Sequence, residues 1–367
     1  MEMYSEIDTL CFSSGGIQGL AFVGGLKYLC DNNYINLDKI TTYVGTSIGS
    51  VVCFLLILGY TPDELIAFFL NYDFKKLELE IDLLIIEEKF GLDEGKGLIE
   101  LLSFFCEKKL KLNDMSLYDL YILTKKKLIL NTTNFNTGQG TLLSYELTPN
   151  LSVLTAIRMS SSIPLVYTPV YYNNQYYVDG ALTNSILLKE CNPNTTLGFF
   201  IEGKKYNELK SIQDIIIGSI LILSNKSNNI DSKYKVINFS TIDSTYIATN
   251  ITCKYVQQLL NIGIECAEHY YVNELRKKIT KIKINIEDKT NNIVNDLINN
   301  IIVKIINGIN SPTPSSNKIL TYQESNKPPT YQESNKIPTD QESNKIPTDQ
   351  ESNKITDQES NKTIYNT

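Results

Sequence analysis

A serine bracketed by glycines, Gly45-Thr46-Ser47-Ile48-Gly49, is the stretch of this chain best suited to nucleophilic chemistry. An apolar, strand-like lead, Ile40 to Val44, feeds it, and a helix-like apolar run, Ile48 to Leu58, follows at once. A serine at so sharp a strand-to-helix turn has its hydroxyl exposed, and Gly45 and Gly49 are the small flanks that close backbone approach requires. The helix that begins just after it aims N–H groups and the positive end of its dipole at the point where an oxyanion would form. By itself G-x-S-x-G is short and common, so partner residues elsewhere must decide whether it marks catalysis.

Candidate partners are few. The chain has a single histidine, His269, in a helix-like segment far from Ser47, which excludes a histidine-rich zinc site and leaves a Ser-His-Asp triad only this one residue to recruit. The plainer reading of His269 is a helix-surface position. Asp179, in Val178-Asp179-Gly180-Ala181, follows a β-like run and precedes a glycine, so it reads as a turn aspartate bonding its own backbone or as an acid/base group. Ser13-Ser14-Gly15-Gly16-Ile17-Gln18-Gly19 joins a strand-like run to a helix-like one and can cradle an anion with free N–H groups, or simply make a tight turn. Its spacing fits neither the dinucleotide nor the P-loop pattern. Ser160, Ser161 and Ser162 lack elbow flanks and read as small residues that permit close packing.

The elements that must position these groups are legible as an alternation of strand and helix. Asp8 to Phe12 suits a buried first strand, and Leu20, Val23, Leu26 and Leu29 recur about one turn apart in the helix after it. Two strand-loop-helix units thus occupy the start of the chain, each with glycines at the carboxyl end of its strand, where open α/β sheets bind ligands. Thr61-Pro62-Asp63-Glu64 predicts a capped helix start. Residues 73 to 111 predict a core helix pair or a lid, the latter with the apolar run Ile81 to Ile86 turned toward lipid. Leu128 to Asn131 and Thr141 to Tyr145 predict strands, Leu154 to Ser162 a helix stopped by Pro164, and Val170 to Val178 a hairpin turning at Asn173-Asn174.

Composition bounds the function. With 367 residues, 42% hydrophobic, the chain can bury a sizeable core, and a formal net charge of -7 with only two arginines and no basic block argues against nucleic acid. Seven cysteines scattered without C-x-x-C pairs read as reduced core thiols of a cytoplasmic protein. The N-terminus lacks the features of a secretory signal, and the longest apolar run, Val51 to Leu58, falls short of the roughly 20 residues a membrane span needs.

Taken together, Phe12 to Gly19, Gly45 to Gly49, Ser161-Ser162-Ile163-Pro164 and Val178 to Ala181 resemble the patatin-like phospholipase family, in that family's order and across roughly Ile7 to Ile186. The resemblance implies a three-layer α/β/α sandwich with a mostly parallel central sheet, and a Ser-Asp dyad that needs no histidine. Ser47 would be the nucleophile and Asp179 the general base and acid. Gly15 and Gly16, with Gly19 closing the loop, would form the oxyanion hole through N–H groups. The substrates implied are ester bonds of phospholipids or other lipids at a membrane surface, without a metal or other cofactor. A general carboxylesterase, or a catalytically impaired lipid-binding or scaffold protein, are the alternatives. Two departures bear on them: Ser14 stands where the family has a glycine, leaving its N–H free to serve if its φ is negative, and Gln18 stands where the family has a cation near the developing oxyanion, so that Gln18→Lys should raise turnover.

Beyond this core (residues 7–190), residues 191–310 predict a mainly helical remainder of the same globular unit. It includes a strand at Leu197 to Ile201, an apolar helix at Ser211 to Leu223, a helix over Tyr255 to Lys278 and an amphipathic one over Asn291 to Ile306. From Ser311 a nine-residue repeat, TYQESNKPP and its variants, has no apolar face and predicts a disordered tail. Abundant Asn, Ile and Lys suggest an AT-rich genome, such as that of a protist or large virus.

Overall fold

The computed structural model describes residues 7–77, 88–202, 230–240, 251–287 and 299–304, with helical positions at 215, 218 and 219. The expected helix at Ser211 to Leu223 (but for those positions), the apolar run Ile81 to Ile86, most of Asn291 to Ile306 and the repeats from Ser311 lie outside the described residues.

The first unit forms as its pattern requires. β1 (Thr9–Phe12) is buried throughout, as befits a parallel strand covered on both faces, and a 3-10 turn over Gly16–Gly19 leads into α1 (Leu20–Asp31). β2 (Thr42–Thr46) ends one residue before Ser47, and α2 (Ile48–Ile57) starts one residue after it. α3 (Pro62–Asn71) carries the expected capping box: Glu64 N–H donates to Thr61 Oγ1 at 3.2 Å and Thr61 N–H to Glu64 Oε2 at 2.8 Å. Of the core helix pair or lid expected over 73–111, one long helix, α4 (Lys96–Leu110), is described, after helical positions at 88 and 89 and a short strand, β3 (Gly91–Asp93); residues 78–87 lie outside the described residues.

α5 (Leu117–Thr124), β4 (Lys127–Asn134), β5 (Gln139–Ser144) and α6 (Val153–Ser160) follow, then β6 (Leu165–Tyr167), β7 (Val170–Tyr172) and β8 (Gln175–Asp179). The β7–β8 hairpin turns on Asn173 and Asn174, both at positive φ (48° and 60°), a conformation asparagine tolerates better than most residues. β9 (Thr196–Glu202), β10 (Lys235–Ser240) and a long α7 (Cys253–Glu287) complete the described chain. β9 and β10 form one flank of the central sheet, so the stretch expected to be mainly helical contributes two of its strands. β10 goes unread in the sequence because its apolar positions, Val236, Ile237 and Phe239, are too few to announce a strand.

The strands run in the order β10-β9-β1-β2-β4-β8-β7, with β5 also pairing β4, while β3 and β6 make a small second sheet. From β10 to β4 the pairs are parallel; β8 is antiparallel to β4, and β7 to β8. Side chains alternate between the faces. Leu10, Phe12, Phe199 and Phe239 take one face, where Phe22 of α1 lies 5.5 Å from Phe12 and 5.3 Å from Phe239. Cys11 and Val44 take the other, under Ile186, Leu187 and Leu188. This is the α/β class expected, helices about a mostly parallel sheet. α1 and α7 cross at glycines: a Cβ on Gly263 would lie 1.9 Å from Ala21 O and one on Gly24 2.0 Å from Leu260 O, so any side chain there would force the helices apart.

Among the described residues, no helix is long and apolar enough to cross a membrane. All seven cysteines are free, but only Cys11, Cys53 and Cys106 are buried and Cys253 is exposed, so the reading of all seven as core thiols is corrected. His269 is an exposed helix residue whose Nε2 lies 2.9 Å from Asn273 Nδ2.

Candidate active site

Ser47 occupies the corner between β2 and α2 with φ 55° and ψ −122°, a region non-glycine residues rarely enter and one that costs on the order of 1 to 3 kcal/mol. The surroundings hold it there. Ser47 N–H donates to Ser160 Oγ at 2.9 Å, and Ser47 O accepts from Ser50 N–H at 2.8 Å and from the Ser50 hydroxyl. The two flanking glycines are sterically required: a Cβ on Gly49 would lie 2.4 Å from Phe12 O, and one on Gly45 2.6 Å from the Gly49 backbone.

Asp179 reaches the same point from the opposite direction, and β4 acts as the ruler. β5 occupies one edge of β4 over Ile129 to Asn134, so β2 and β8 share the other edge. Thr46, the last residue of β2, pairs with Asn131; Asp179, the last of β8, pairs with the next position, Thr132. Two antiparallel strand ends therefore meet head-on. Ser47 Oγ donates to Asp179 Oδ2 at 2.7 Å, while Asp179 Oδ1 accepts from Ala181 N–H at 2.8 Å. The two readings of this aspartate, turn residue and partner of chemistry, are thus filled by its two oxygens separately.

The carboxylate is 1% exposed. Burial pushes its pKa up to about 6, against the hydrogen bonds from Ala181 and Ser47 that pull it down. Its backbone is fixed as firmly: Asp179 N–H donates to Ser162 O at 2.8 Å and its carbonyl accepts from Thr133 Oγ1 at 3.0 Å. Asn131 Nδ2 braces the following turn through Gly180 O at 2.7 Å and Asn184 O at 3.0 Å.

These supporting residues escape a reading by motif, although the run of three serines was the available signal. α6 ends at Ser160, two residues earlier than expected, and this leaves the Ser162 carbonyl to receive Asp179. Arg158, one of two arginines in the chain, is buried beside them. Its guanidinium donates to Ser162 Oγ, to Glu94 O at 3.1 Å and to Thr168 O at 3.0 Å, tying α6 to the ends of β3 and β6.

The glycine loop lies against the elbow. A Cβ on Gly19 would be 2.5 Å from the Ile48 side chain, one on Gly15 would be 2.6 Å from Ile201, and Gly16 has φ 54°. Among the described residues, the Gly15 and Gly16 N–H groups meet no acceptor. Ser14 is different. Its N–H donates to Ser185 O at 2.9 Å and its hydroxyl shares a 2.6 Å hydrogen bond with Ser185 Oγ, which corrects the expectation that it could serve an oxyanion. Gln18 is buried and its Nε2 donates to Tyr255 OH at 2.8 Å, making it a strut between the loop and α7. A lysine there would need a buried ammonium, so the expected gain from Gln18→Lys no longer follows.

A hydroxyl bonded to a buried carboxylate at a helix N-terminus, beside unengaged N–H groups, can perform acyl transfer. The sequence matches the family described as patatin-like phospholipase over residues 10–191. It is also 30% identical over 237 residues to the probable lipid hydrolase 463L of Invertebrate iridescent virus 6, covering 64% of this chain and 77% of that one. The chain belongs to the patatin-like phospholipase family. Protein R571 of Acanthamoeba polyphaga mimivirus is 27% identical over 286 residues, covering 73% of this chain and 95% of the relative. Among solved structures, VipD from Legionella pneumophila is similar with a TM-score of 0.47 and 15% identity, over 72% of this chain and 66% of that one.

Proposed function

We propose that this patatin-like protein hydrolyses carboxylic esters of phospholipids and related lipids through a Ser47–Asp179 dyad. The observation that carries the reading is the 2.7 Å hydrogen bond from Ser47 Oγ to Asp179 Oδ2 at the strained elbow. In the proposed reaction Ser47 Oγ attacks the ester carbonyl while its proton passes to Asp179 Oδ2. Charge on the tetrahedral intermediate's oxygen is met by the Gly15 and Gly16 N–H groups, held in place by Gly19, and by the N-terminal end of α2. Asp179 then returns the proton to the leaving alcohol, and an acyl-serine remains. Water, deprotonated by Asp179, releases the fatty acid and restores Ser47. Every step uses groups of this chain and water alone.

Family membership and the viral lipid-hydrolase relative support lipid esters as the substrate class; the same relatives favour a large-virus origin for the gene. The test is fatty-acid release from defined phospholipids, and from a short soluble ester, by wild type, Ser47→Ala and Asp179→Asn. Wild type is expected to act on both, and each variant to lose about 1000-fold or more. Equal release from all three proteins would remove the dyad. Activity confined to the soluble ester would instead favour a general carboxylesterase, and inactivity of wild type a lipid-binding protein.

A further inference from the structure

Beyond the C-terminal edge of the parallel strands, the β7–β8 hairpin and the small β3–β6 sheet form a rim with an unusual surface. Phe90 is 55% exposed, Leu165 51%, Tyr171 60% and Tyr176 38%. They are one patch. The Phe90 and Tyr176 rings are 6.4 Å apart, Tyr176 and Tyr171 are 4.9 Å apart, and Leu165 pairs across the small sheet with Gly91, the neighbour of Phe90. Phe135, 67% exposed, joins through its N–H, which donates to Tyr176 O at 2.8 Å.

The backbone says these side chains are displayed. Phe90 and Leu165 have φ of 61° and 65°, the left-handed region in which bulky residues are outliers and where glycine or asparagine would be cheaper. Strain kept at two exposed apolar residues contributes nothing to the core, which points to a function at the surface.

Position and charge select the occupant. Tyr176 precedes Asp179 on the same strand by three residues, about 10 Å at the rise of a β-strand, so whatever rests on the rim lies close to the site, although the odd spacing turns the Tyr176 ring to the other face of β8. The charges beside Phe90 cancel, with Glu94 bridging Lys89 and Lys96 and the exposed Glu88 supplying the second carboxylate. The chain as a whole carries a formal net charge of -7, which repels anionic surfaces. Phenylalanine, tyrosine and leucine without a basic cluster suit the boundary between head groups and acyl chains of an uncharged bilayer. We propose that the Phe90–Leu165–Tyr171–Tyr176 rim docks the protein on zwitterionic phospholipid, delivering an ester to Ser47. The proposal rests on the lipid-ester reading above and adds the surface through which the substrate is met.

The test is co-sedimentation of the full-length Ser47→Ala protein, which leaves lipid intact, with phosphatidylcholine vesicles at low and high salt. Binding is expected, insensitive to salt. A second protein adds Phe90→Asn and Leu165→Asn; asparagine accepts left-handed backbone, so the fold is expected to be kept, and thermal unfolding checks it. Partitioning should fall about tenfold or more. The same two changes with Ser47 intact should leave soluble-ester turnover unchanged while vesicle hydrolysis falls. Absence of vesicle binding by the parent, equal partitioning of both proteins, or binding only to anionic vesicles and lost in salt would each overturn the proposal. So would a loss of self-association in the variant with unchanged partitioning, which would make the rim an interface between copies. Soluble-ester activity of wild type is read separately, so failure of the dyad and failure of the rim give different results.

Discussion

Asp179 is a carboxylate with unlike oxygens, one holding its own turn and the other holding Ser47, in a setting dry enough to push its pKa up to about 6. For the proposed reaction the base must be ionised, so the acid limb of kcat/KM for a soluble ester is expected near pH 6, two units above an ordinary aspartate. The same shift sets a stability effect of definite sign. A folded pKa raised above the unfolded value contributes stability below about pH 4 that is lost as pH rises through about 6. Asp179→Asn keeps an oxygen for Ala181 N–H and removes the buried charge. It is therefore expected to unfold later than wild type at pH 7, by about 2 kcal/mol, and to show no such gain near pH 4, as denaturation at the two pH values will show. A gain equal at both would assign the effect to packing.

At the scale of elements, the end of α6 is the clamp of the site. Ser160 Oγ holds Ser47 N–H, Ser162 O holds Asp179 N–H, and Arg158 holds Ser162, so one short helix sets both proposed reacting residues. Ser160→Ala would leave the Ser47 N–H buried without its acceptor, at a cost of roughly 1 to 3 kcal/mol, and release the strained elbow. The expected outcome is reduced denaturant stability together with a kcat lowered at least about tenfold and a nearly unchanged KM, because Ser47 geometry is affected and substrate contacts are not. A fall in stability with kcat intact would reduce Ser160 to a packing residue. The glycines of the elbow were readable beforehand because their steric demand is local. The use of the serine run was not, because a small residue in a sequence reports the space it leaves and not the partner that fills it.

For the whole molecule, the crossing of α1 and α7 binds the far end of the chain to the first unit. Gly263 lies against Ala21 and Gly24 against Leu260, while Tyr255 at the start of α7 receives Gln18 of the glycine loop. Gly263→Ala is expected to cost about 1 to 3 kcal/mol in chemical denaturation and to lower soluble-ester turnover through the displaced loop; unchanged stability would show that the helices can separate freely. The order of the motifs, the elbow, the capping box of α3 and the Asn173-Asn174 hairpin were all legible in the sequence, since each follows from backbone dihedrals and side-chain periodicity within a few residues. Tertiary structure alone decided the rest. Ser47 and Asp179 stand 132 positions apart, and only the registers of β2 and β8 along one edge of β4 set their oxygens at 2.7 Å. The same long-range contacts gave Ser14 to Ser185 and Gln18 to Tyr255 and added β10 to the sheet, because hydrogen-bond partners so distant in sequence are chosen by how the whole sheet and its helices pack.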